Sequence, residues 1–464
     1  MHICFVTPEF VTEPTGFDGG LANYLYRVSL SLIQLGHKST VIVISDRDDA
    51  FQYNSINVHC IEIKKNYPAP LSWLYQSYII NEYLIEMHRL CPFDIIQYTS
   101  YTATGLFRID YVPCVVRISS IRKLSAINAE FPQDDINLFF EQMELYSIKK
   151  ADSVFGPCNI ISEEVNRCSK CDVKIIESPY LHGIVKTDDK LYKEHLLGKK
   201  YLLFFGTIGI LKGIAVLAEI ISELLSQFPK LYFVFIGKDV GYRNQPMMDY
   251  VYEKAGELRE RVIRFDKLHH DQLYPIIQGA YAVVLPSRID NFPNTCIEAM
   301  AHGKMVIGTR NTGFDQLIND KINGFLCEKD NPVDLLKTIK YMMSISLEEK
   351  MKIEGNAKKR IDLLKPEIVV KELVDYYSDV ITRFKEGEFI KRNDTDNLIA
   401  KVYFYSIQNL EETITEKSNI ITEYKEKIGK QDFLINLIST SYSFRIGKLL
   451  VTPLSVFIKF LKKK

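Results

Sequence analysis

The stretch SRIDNFPNTCIEAMAHGKMVIGTRNTG, residues 287–313, joins two short apolar runs through a turn and a helix. The preceding run, YAVVLPS, predicts a buried strand, whereas TCIEAMAHG has helical spacing and ends at Gly303. A second predicted strand, KMVIGTR, follows directly. A strand, a helix and a strand in this order predict a parallel sheet that is covered by helices.

The same alternation fills two long parts of the chain, which are joined near residues 181–198. The strands predicted in the first part are HICFVT, STVIVIS, VHCIEI, FDIIQY, PCVVRIS, SVFGP and VKIIESP. Those predicted in the second are YLLFFG, LYFVFIG, VIRFDK, YAVVLPS, KMVIGTR and GFLCEK, with helices over 213–228, 270–279, 295–303 and 332–344. We therefore predict an α/β protein with two facing, doubly wound, Rossmann-like domains and a C-terminal helical tail. The predicted boundaries are 1–185 and 186–365 for the domains, 366–385 for a closing helix that returns towards the first domain, and 386–464 for the tail.

Length and charge narrow the classes of function. At 464 residues the chain exceeds what one hydrophobic core usually supports, so two or three domains are expected. Lys and Arg number 58, as do Asp and Glu, which excludes nucleic acid as a partner held by bulk charge.

The first residues, MHICFVTPEF, contain no basic segment and too short an apolar run for a signal peptide, which predicts a cytoplasmic protein. For the CxxC formed by Cys168 and Cys171, plain thiols are favoured over a zinc site.

Two acids in the opening stretch are candidates for ligand binding, Asp290 in the turn and Glu298 just inside the helix. In doubly wound sheets ligands bind beyond the carboxyl ends of the strands, so the start of this helix should face the cleft between the domains. With Asn294 as the predicted N-cap, the free N–H groups and the helix dipole would attract an anion such as a diphosphate. Glu298 could then accept hydrogen bonds from vicinal hydroxyls. Alternatively, Asp290 is a turn residue and Glu298 only favours the helix start.

The spacing Asp290-x7-Glu298, followed by EAMAHGKMVIGTRNTG, resembles the E-x7-E signature of the retaining GT-B enzymes of glycosyltransferase family 4. Further stretches resemble that family in the same order: Gly19-Gly20-Leu21-Ala22, LGHKSTVIV, FDIIQ, KKADSVFGPC, FFGTIGILKG and DNPVDLLKTI. Several motifs in the right order are more specific than any single one. The likeness covers roughly residues 1 to 385 and implies an N-terminal acceptor domain and a C-terminal domain for a nucleotide-sugar donor.

The resemblance implies a role for each matching residue. Glu298 would hold the ribose hydroxyls, Asp290 would lie beside the donor sugar, and Lys212 would neutralise the diphosphate. The implied donor site also contains Gly19, Gly20, Asn291, Phe292, Pro293, Asn294 and Thr295. Gly19 and Gly20 would let the N-terminal loop approach the phosphates closely, or they form an ordinary turn. Lys212 could equally be a solvated loop lysine.

Two departures from the family pattern concern the donor side of the cleft. The first acid is Asp290 rather than Glu, and the side chain is therefore one methylene shorter. Thr207 stands where the family has an arginine, which leaves one cation fewer at the diphosphate, with Arg288 and Lys238 as candidates to replace it.

Two further departures concern groups near the sugar and the nucleotide. Ser119 replaces a family histidine, whose role is either vacant or taken by Arg117 or Ser120. Gln316 aligns with a glutamate that the family places near the nucleotide.

The tail after residue 386 has its own pattern. Near-heptad spacing there favours a coiled coil or a long exposed helix, with a homo-oligomer formed through residues 407–430, while a helix packed on its own domain is the alternative. The last stretch, SYSFRIGKLLVTPLSVFIKFLKKK, is too short to span a bilayer. Its mixed basic and apolar residues predict either contact with an anionic membrane surface, on the inner face of the plasma membrane, or docking onto the protein. The residues with near-heptad spacing are Ile407, Leu410, Ile414, Ile421, Tyr424 and Ile428.

By resemblance, we expect a hexosyltransferase-like enzyme that moves a sugar from a UDP- or GDP-sugar to a hydroxyl of a glycan or lipid-linked acceptor, with retention. Synthesis of cell-surface polysaccharide or glycolipid is the expected setting. No ligand cluster is evident in the cleft segments, so neither a metal nor another cofactor is expected. FDGGLAN lacks the G-x-G-x-x-G spacing of a Rossmann dehydrogenase. A non-catalytic protein that binds nucleotide-sugars or glycans and a membrane-associated scaffold stay open as alternatives.

Overall fold

A computed structural model describes residues 1–12, 19–64, 67, 71–128, 135–181, 187–389 and 394–441. The chain divides into two compact units, Met1–Arg392 and Asn393–Lys464. The first unit contains two Rossmann-like, largely parallel sheets with helices around them, and the second contains one long helix in its described part. The predicted α/β class, with two doubly wound sheets and a helical C-terminal region, is confirmed.

The N-terminal sheet has eight strands among the described residues, in the order β3-β4-β2-β1-β5-β6-β7-β8. All neighbours pair in parallel except β3 and β4. The antiparallel edge strand β3 was not predicted, because its sequence DAFQY is largely exposed and contains no apolar run. The strands are β1 (His2–Thr7), β2 (Lys38–Ser45), β3 (Asp49–Tyr53), β4 (Ile56–Glu62), β5 (Ile95–Thr99), β6 (Cys114–Arg117), β7 (Ser153–Gly156) and β8 (Val173–Ile175).

The C-terminal sheet has six strands among the described residues, all parallel, in the order β11-β10-β9-β12-β13-β14. The chain starts this sheet at its centre with β9, builds outward through β10 and β11, and then returns to the other side of β9 with β12. A crevice therefore opens between β9 and β12 at their carboxyl ends, where doubly wound folds bind ligands. The strands are β9 (Lys200–Phe205), β10 (Leu231–Ile236), β11 (Val262–Phe265), β12 (Ala282–Val284), β13 (Val306–Thr309) and β14 (Phe325–Cys327).

Helices cover both sheets. Helices such as Gly20–Gln34 and Ile214–Gln227 have an apolar face, which is buried, and a more polar face on the other side. The helices of the N-terminal sheet are α1 (Gly20–Gln34), α2 (Leu71–Leu90), α3 (Arg122–Asn128), α4 (Asp135–Lys149) and α5 (Asn159–Ser169). The following helices are α6 (Lys190–His195), α7 (Ile214–Gln227), α8 (Met247–Ala255), α9 (His270–Gly279), α10 (Asn294–Ala301), α11 (Pro332–Ser344) and α12 (Leu347–Asp362).

Helix α13 (Pro366–Lys385) follows the second sheet in sequence but contacts the first sheet. Tyr377 on α13 is fully buried, and its hydroxyl donates a hydrogen bond to Oε1 of Gln97 on β5. Near the surface, Lys174 and Glu372 lie 3.8 Å apart. This helix therefore ties the end of the first compact unit to its N-terminal sheet.

Helix α14 (Asp394–Thr440) is 47 residues long and belongs to the second unit. From Glu411 onward its apolar side chains are exposed. The basic segment that was predicted to contact a membrane, apart from Ser441, lies outside the described residues. Among the helices that the structure describes, none combines the length and the apolar character needed to cross a bilayer.

Candidate active site

Loops of both sheets line one cleft of about 670 Å³ within the first unit, and four of these loops carry most of the predicted site residues. The C-terminal sheet contributes the loops that follow β9 and β12, which are neighbours at its centre. The N-terminal sheet contributes the segment that leads into α1 and the one that follows β6. Every residue assigned to the donor site from the sequence lines this cleft: Gly19, Gly20, Lys212, Asp290, Asn291, Phe292, Pro293, Asn294, Thr295 and Glu298.

Lys212 and Asp290 form an ion pair in the part of the cleft lining that the C-terminal sheet contributes. The Lys212 ammonium donates to Oδ2 of Asp290 at 2.6 Å, and the hydroxyl of Ser287 lies 3.3 Å from the same oxygen. The backbone at Gly213 packs closely against the backbone at Pro286, and only glycine permits this contact. A Cβ at residue 213 would lie 1.8 Å from the carbonyl oxygen of Pro286. Its φ of +70° also suits glycine. Lys212 is thus a cleft residue held by an acid and not a solvated loop lysine.

The start of α10 differs from the prediction that Asn294 is its N-cap. The helix begins at Asn294, Pro293 occupies the capping position, and no side chain caps the helix. Asn294 instead directs its amide across the cleft, where Nδ2 would lie 3.2 Å from a Cβ added to Gly20. The prediction failed because a polar residue before a helix can serve either as a cap or as a contact to the facing domain, and sequence does not distinguish them.

Glu298 is buried and lies among residues from both sheets. Its Oε1 is 3.9 Å from a guanidinium nitrogen of Arg27 on α1 and 3.6 Å from Nε2 of His270 on α9. Burial, together with the nearby charge of Glu298, raises the pKa of Tyr274 to about 12. A carboxylate in this position can accept hydrogen bonds from hydroxyl groups of a ligand. No sequence motif pointed to Arg27, because it lies in a different domain from the acid.

The start of α1 is capped by an acid that the sequence analysis did not identify. Oε1 of Glu9 accepts a hydrogen bond from the Ala22 amide at 3.0 Å. A Cβ on Gly19 would lie 2.7 Å from the same carboxylate. Glycine is therefore needed here for the approach of Glu9 to the helix, in addition to any approach of a ligand.

Arg117, Ser119 and Ser120 all line the N-terminal side of the cleft. The Arg117 guanidinium is buried, stacks on the ring of Tyr24 at 3.6 Å and donates to the hydroxyl of Ser178 at 3.0 Å. Burial lowers the pKa of Arg117 from its usual value. Among the described residues, Nε of Arg117 and Oγ of Ser119 have no hydrogen-bond partner. Both atoms are themselves buried, so they are unpaired polar groups in the wall of the cleft.

Of the two candidates to replace the family arginine at Thr207, only Lys238 lines the cleft. Arg288 pairs with Asp330 at 2.9 Å and donates to the carbonyl of Asn128 outside it. The candidacy of Arg288 was therefore wrong, because a neighbouring acid and a facing carbonyl hold its guanidinium elsewhere.

Gln316 also lies outside the cleft lining. Its Nε2 donates to Oε1 of Glu177 at 2.8 Å, and Arg360 donates to that oxygen at 2.7 Å. Gln316 therefore joins the two domains and does not face the nucleotide position that its alignment suggested.

Positive charge predominates in the cleft. Among its described lining residues, Arg117, Lys212, Lys238 and Lys267 are basic, and the acids are Asp290 and Glu298. This balance suits a ligand with two or more negative charges, such as a diphosphate. No group of three or more His, Cys, Asp or Glu side chains that could hold a metal ion occurs in the described part of the chain.

Comparisons with known proteins agree with this geometry. Residues 187–360 match the family model for glycosyl transferases group 1. An uncharacterised glycosyltransferase of Methanocaldococcus jannaschii is 25% identical over 352 residues, which cover 72% of this chain and 86% of that protein.

Solved structures show the same fold. Sucrose-phosphate synthase from Thermosynechococcus elongatus matches with a TM-score of 0.68 at 16% identity, over 82% of this chain and 99% of that chain. The Anabaena protein HepE in complex with UDP-glucose matches with a TM-score of 0.61 at 18% identity, over 82% of this chain and 100% of that chain. Residues 187–360 thus match the glycosyl transferases group 1 family model, and the two-sheet fold as a whole matches these solved structures.

Proposed function

We propose that the chain transfers a sugar from a nucleotide-diphosphate sugar to an acceptor hydroxyl with retention of anomeric configuration, as in glycosyltransferase family 4. The observation that carries this proposal is the position of Glu298. It is a buried carboxylate that lines the cleft, one turn from the start of α10, with Arg27 and His270 beside it. A ribose bound to Glu298 would direct its diphosphate to the α10 start and to Lys212.

The chemistry follows from the charge of the leaving group. When the bond between the anomeric carbon and the phosphate oxygen breaks, negative charge gathers on the diphosphate. The α10 amides and Lys212 would stabilise that charge more strongly in the transition state than in the ground state. The departing phosphate oxygen would take the proton of the acceptor hydroxyl on the same face of the sugar, which gives retention. Asp290 would orient Lys212 and contact the donor sugar without acting as a base.

A uridine nucleotide is the donor class to examine first, since HepE shares the fold and has been seen with UDP-glucose. A GDP-sugar is the second class. For the acceptor we propose a glycan or a lipid-linked sugar in cell-surface polysaccharide or glycolipid synthesis. The basic and apolar composition of the last residues, which suits an anionic membrane surface on the cytoplasmic side, is the reason for a lipid-linked acceptor.

Hydrolysis and transfer with a panel of UDP- and GDP-sugars test the proposal. At least one donor should be consumed by the full chain, and the Asp290→Ala/Glu298→Ala variant should not consume it. Binding of a nucleotide-sugar without turnover would favour a non-catalytic binding protein. If no nucleotide raises the melting temperature of the wild-type chain, the proposed donor site is wrong.

A further inference from the structure

Helix α14 leaves a row of large apolar side chains uncovered. Ile414, Ile421, Ile428, Ile435 and Ile438 are between 53% and 64% exposed. Contiguous exposed apolar surface of this kind marks an interaction site. Within the second unit, the residues that the structure describes leave this row open.

The spacing of this row indicates what covers it. Isoleucine occurs at every seventh residue from Ile407 to Ile435, that is, at 407, 414, 421, 428 and 435. A straight helix drifts about 20° per heptad away from such a row, or about 80° over these four steps. A flat membrane or the surface of a folded domain would lose contact with the row. A second helix that supercoils around α14 keeps contact along its whole length.

We infer that α14 forms a parallel, in-register coiled-coil dimer with α14 of a second copy of the chain. In this arrangement the five isoleucines occupy the a positions of the heptads and each packs against its own copy. β-branched residues at a favour two parallel strands where d is leucine, as in the heptad of Ile407 and Leu410. The interface is the same patch on both chains, as a two-fold dimer requires.

The polar residues of the seam select this register. Lys417 and Gln431 occupy d positions, and in the parallel pair each lies opposite its own copy. A fully overlapping antiparallel pair would instead place Lys417 against Ile428 and Gln431 against Ile414. Two facing Gln431 amides can hydrogen-bond to each other, whereas Gln431 placed against Ile414 is buried without a partner, which costs more. The two Lys417 ammoniums cannot pair with each other and extend towards solvent along their apolar stems. These polar layers weaken the dimer, and the Gln431 layer fixes its register.

Flanking charges agree with the parallel orientation. Lys427 is at a g position and Asp432 is at the e position five residues later, so the parallel pair brings these opposite charges together between chains twice. Within its own helix Lys427 already lies 2.8 Å from Glu423, and both side chains are exposed. The ammonium is therefore free to share its charge with a second chain.

The mass of the full chain in solution tests the dimer. Light scattering on the size-exclusion peak should give twice 53.6 kDa for the wild type and 53.6 kDa for the Ile421→Asp/Ile428→Asp variant. The matched control is Phe433→Asp, which removes an exposed apolar residue at an f position outside the seam and should stay dimeric. A wild-type mass of one or three chains overturns the dimer. Dissociation of the Phe433→Asp control overturns the assignment of the seam.

Crosslinking tests the orientation. A Lys417→Cys variant of the full chain should form an interchain disulfide under mild oxidation, whereas Thr415→Cys, on the outer face, should stay at the wild-type background. In the antiparallel pair position 417 lies opposite position 428, and the two copies of 417 are about 16 Å apart along the axis. Absence of the Lys417→Cys crosslink in a chain of dimeric mass would therefore overturn the parallel register.

Discussion

Replacing Glu298 by Gln keeps the shape of the side chain and removes the charge that we expect to hold the ribose. The existing contacts of the acid are long, 3.9 Å to Arg27 and 3.6 Å to His270, so removing its charge breaks no close ion pair and the melting temperature should change little. Hydrogen bonds from ligand hydroxyls to a carboxylate contribute about 1.5–3 kcal/mol. Since 1.4 kcal/mol is tenfold, nucleotide affinity should fall roughly 10- to 150-fold.

The measurement is the dissociation constant of UDP and of GDP by isothermal titration, beside the melting temperature of the free protein. Glu253→Gln is the matched control, because Glu253 is an exposed acid on α8 and does not line the cleft. The reasoning is refuted if Glu298→Gln binds the preferred nucleotide as tightly as the wild type while both proteins melt at the same temperature.

Three other perturbations follow from the geometry. Lys212→Ala should lower kcat about 10²- to 10³-fold with little change in melting temperature, and Lys254→Ala, which removes an exposed ion pair with Glu219, should leave kcat unchanged. Burial raises the pKa of Glu144 to about 8, so the folded state retains a proton that the unfolded state loses, and stability falls as pH rises from about 4.5 to 8. Glu144→Gln has no such proton to lose, so at pH 8 its free energy of unfolding should exceed that of the wild type by on the order of 2–4 kcal/mol. The substitution should therefore raise the melting temperature more at pH 8 than at pH 5. Gly213→Ala should cost about 2–4 kcal/mol in urea unfolding, against about 1 kcal/mol for Gly198→Ala, which has a similar φ of +80° but no atom within 4 Å of the added methyl group.

The strands of both sheets were largely predictable, because a buried parallel strand has a short, nearly continuous run of apolar residues in its sequence. FDIIQY and YLLFFG cover the observed strands β5 and β9 to within one residue; β5 is buried throughout, and β9 is buried except at Lys200. Helix α7 was predictable over 213–228 for a similar reason, since its apolar residues recur with helical spacing. Strand β3 was not, because an exposed edge strand has no apolar run to mark it.

The candidate site was predictable only where its residues are close in sequence. The turn and helix at 290–298 form one local unit, so the sequence places both acids near the cleft. Partners that come from another part of the chain have no such signal. Arg27 and Glu298 are 271 positions apart in sequence, and only the approach of the two domains to each other brings them together. The same reason explains why Arg288 seemed available for the diphosphate although Asp330 holds it.

The pairing of Lys212 with Asp290 bears on how the proposed reaction would be accelerated. A lysine on a flexible stem loses side-chain entropy when it binds a phosphate, and a neighbouring carboxylate at 2.6 Å already holds this one in place. The cation is then oriented before charge develops on the leaving group, which is the condition for electrostatic stabilisation without reorganisation. Removing Asp290 would keep the charge of Lys212 but lose its orientation. We therefore expect Asp290→Ala to reduce kcat more than nucleotide affinity, whereas the loss of Glu298 should act mainly on affinity.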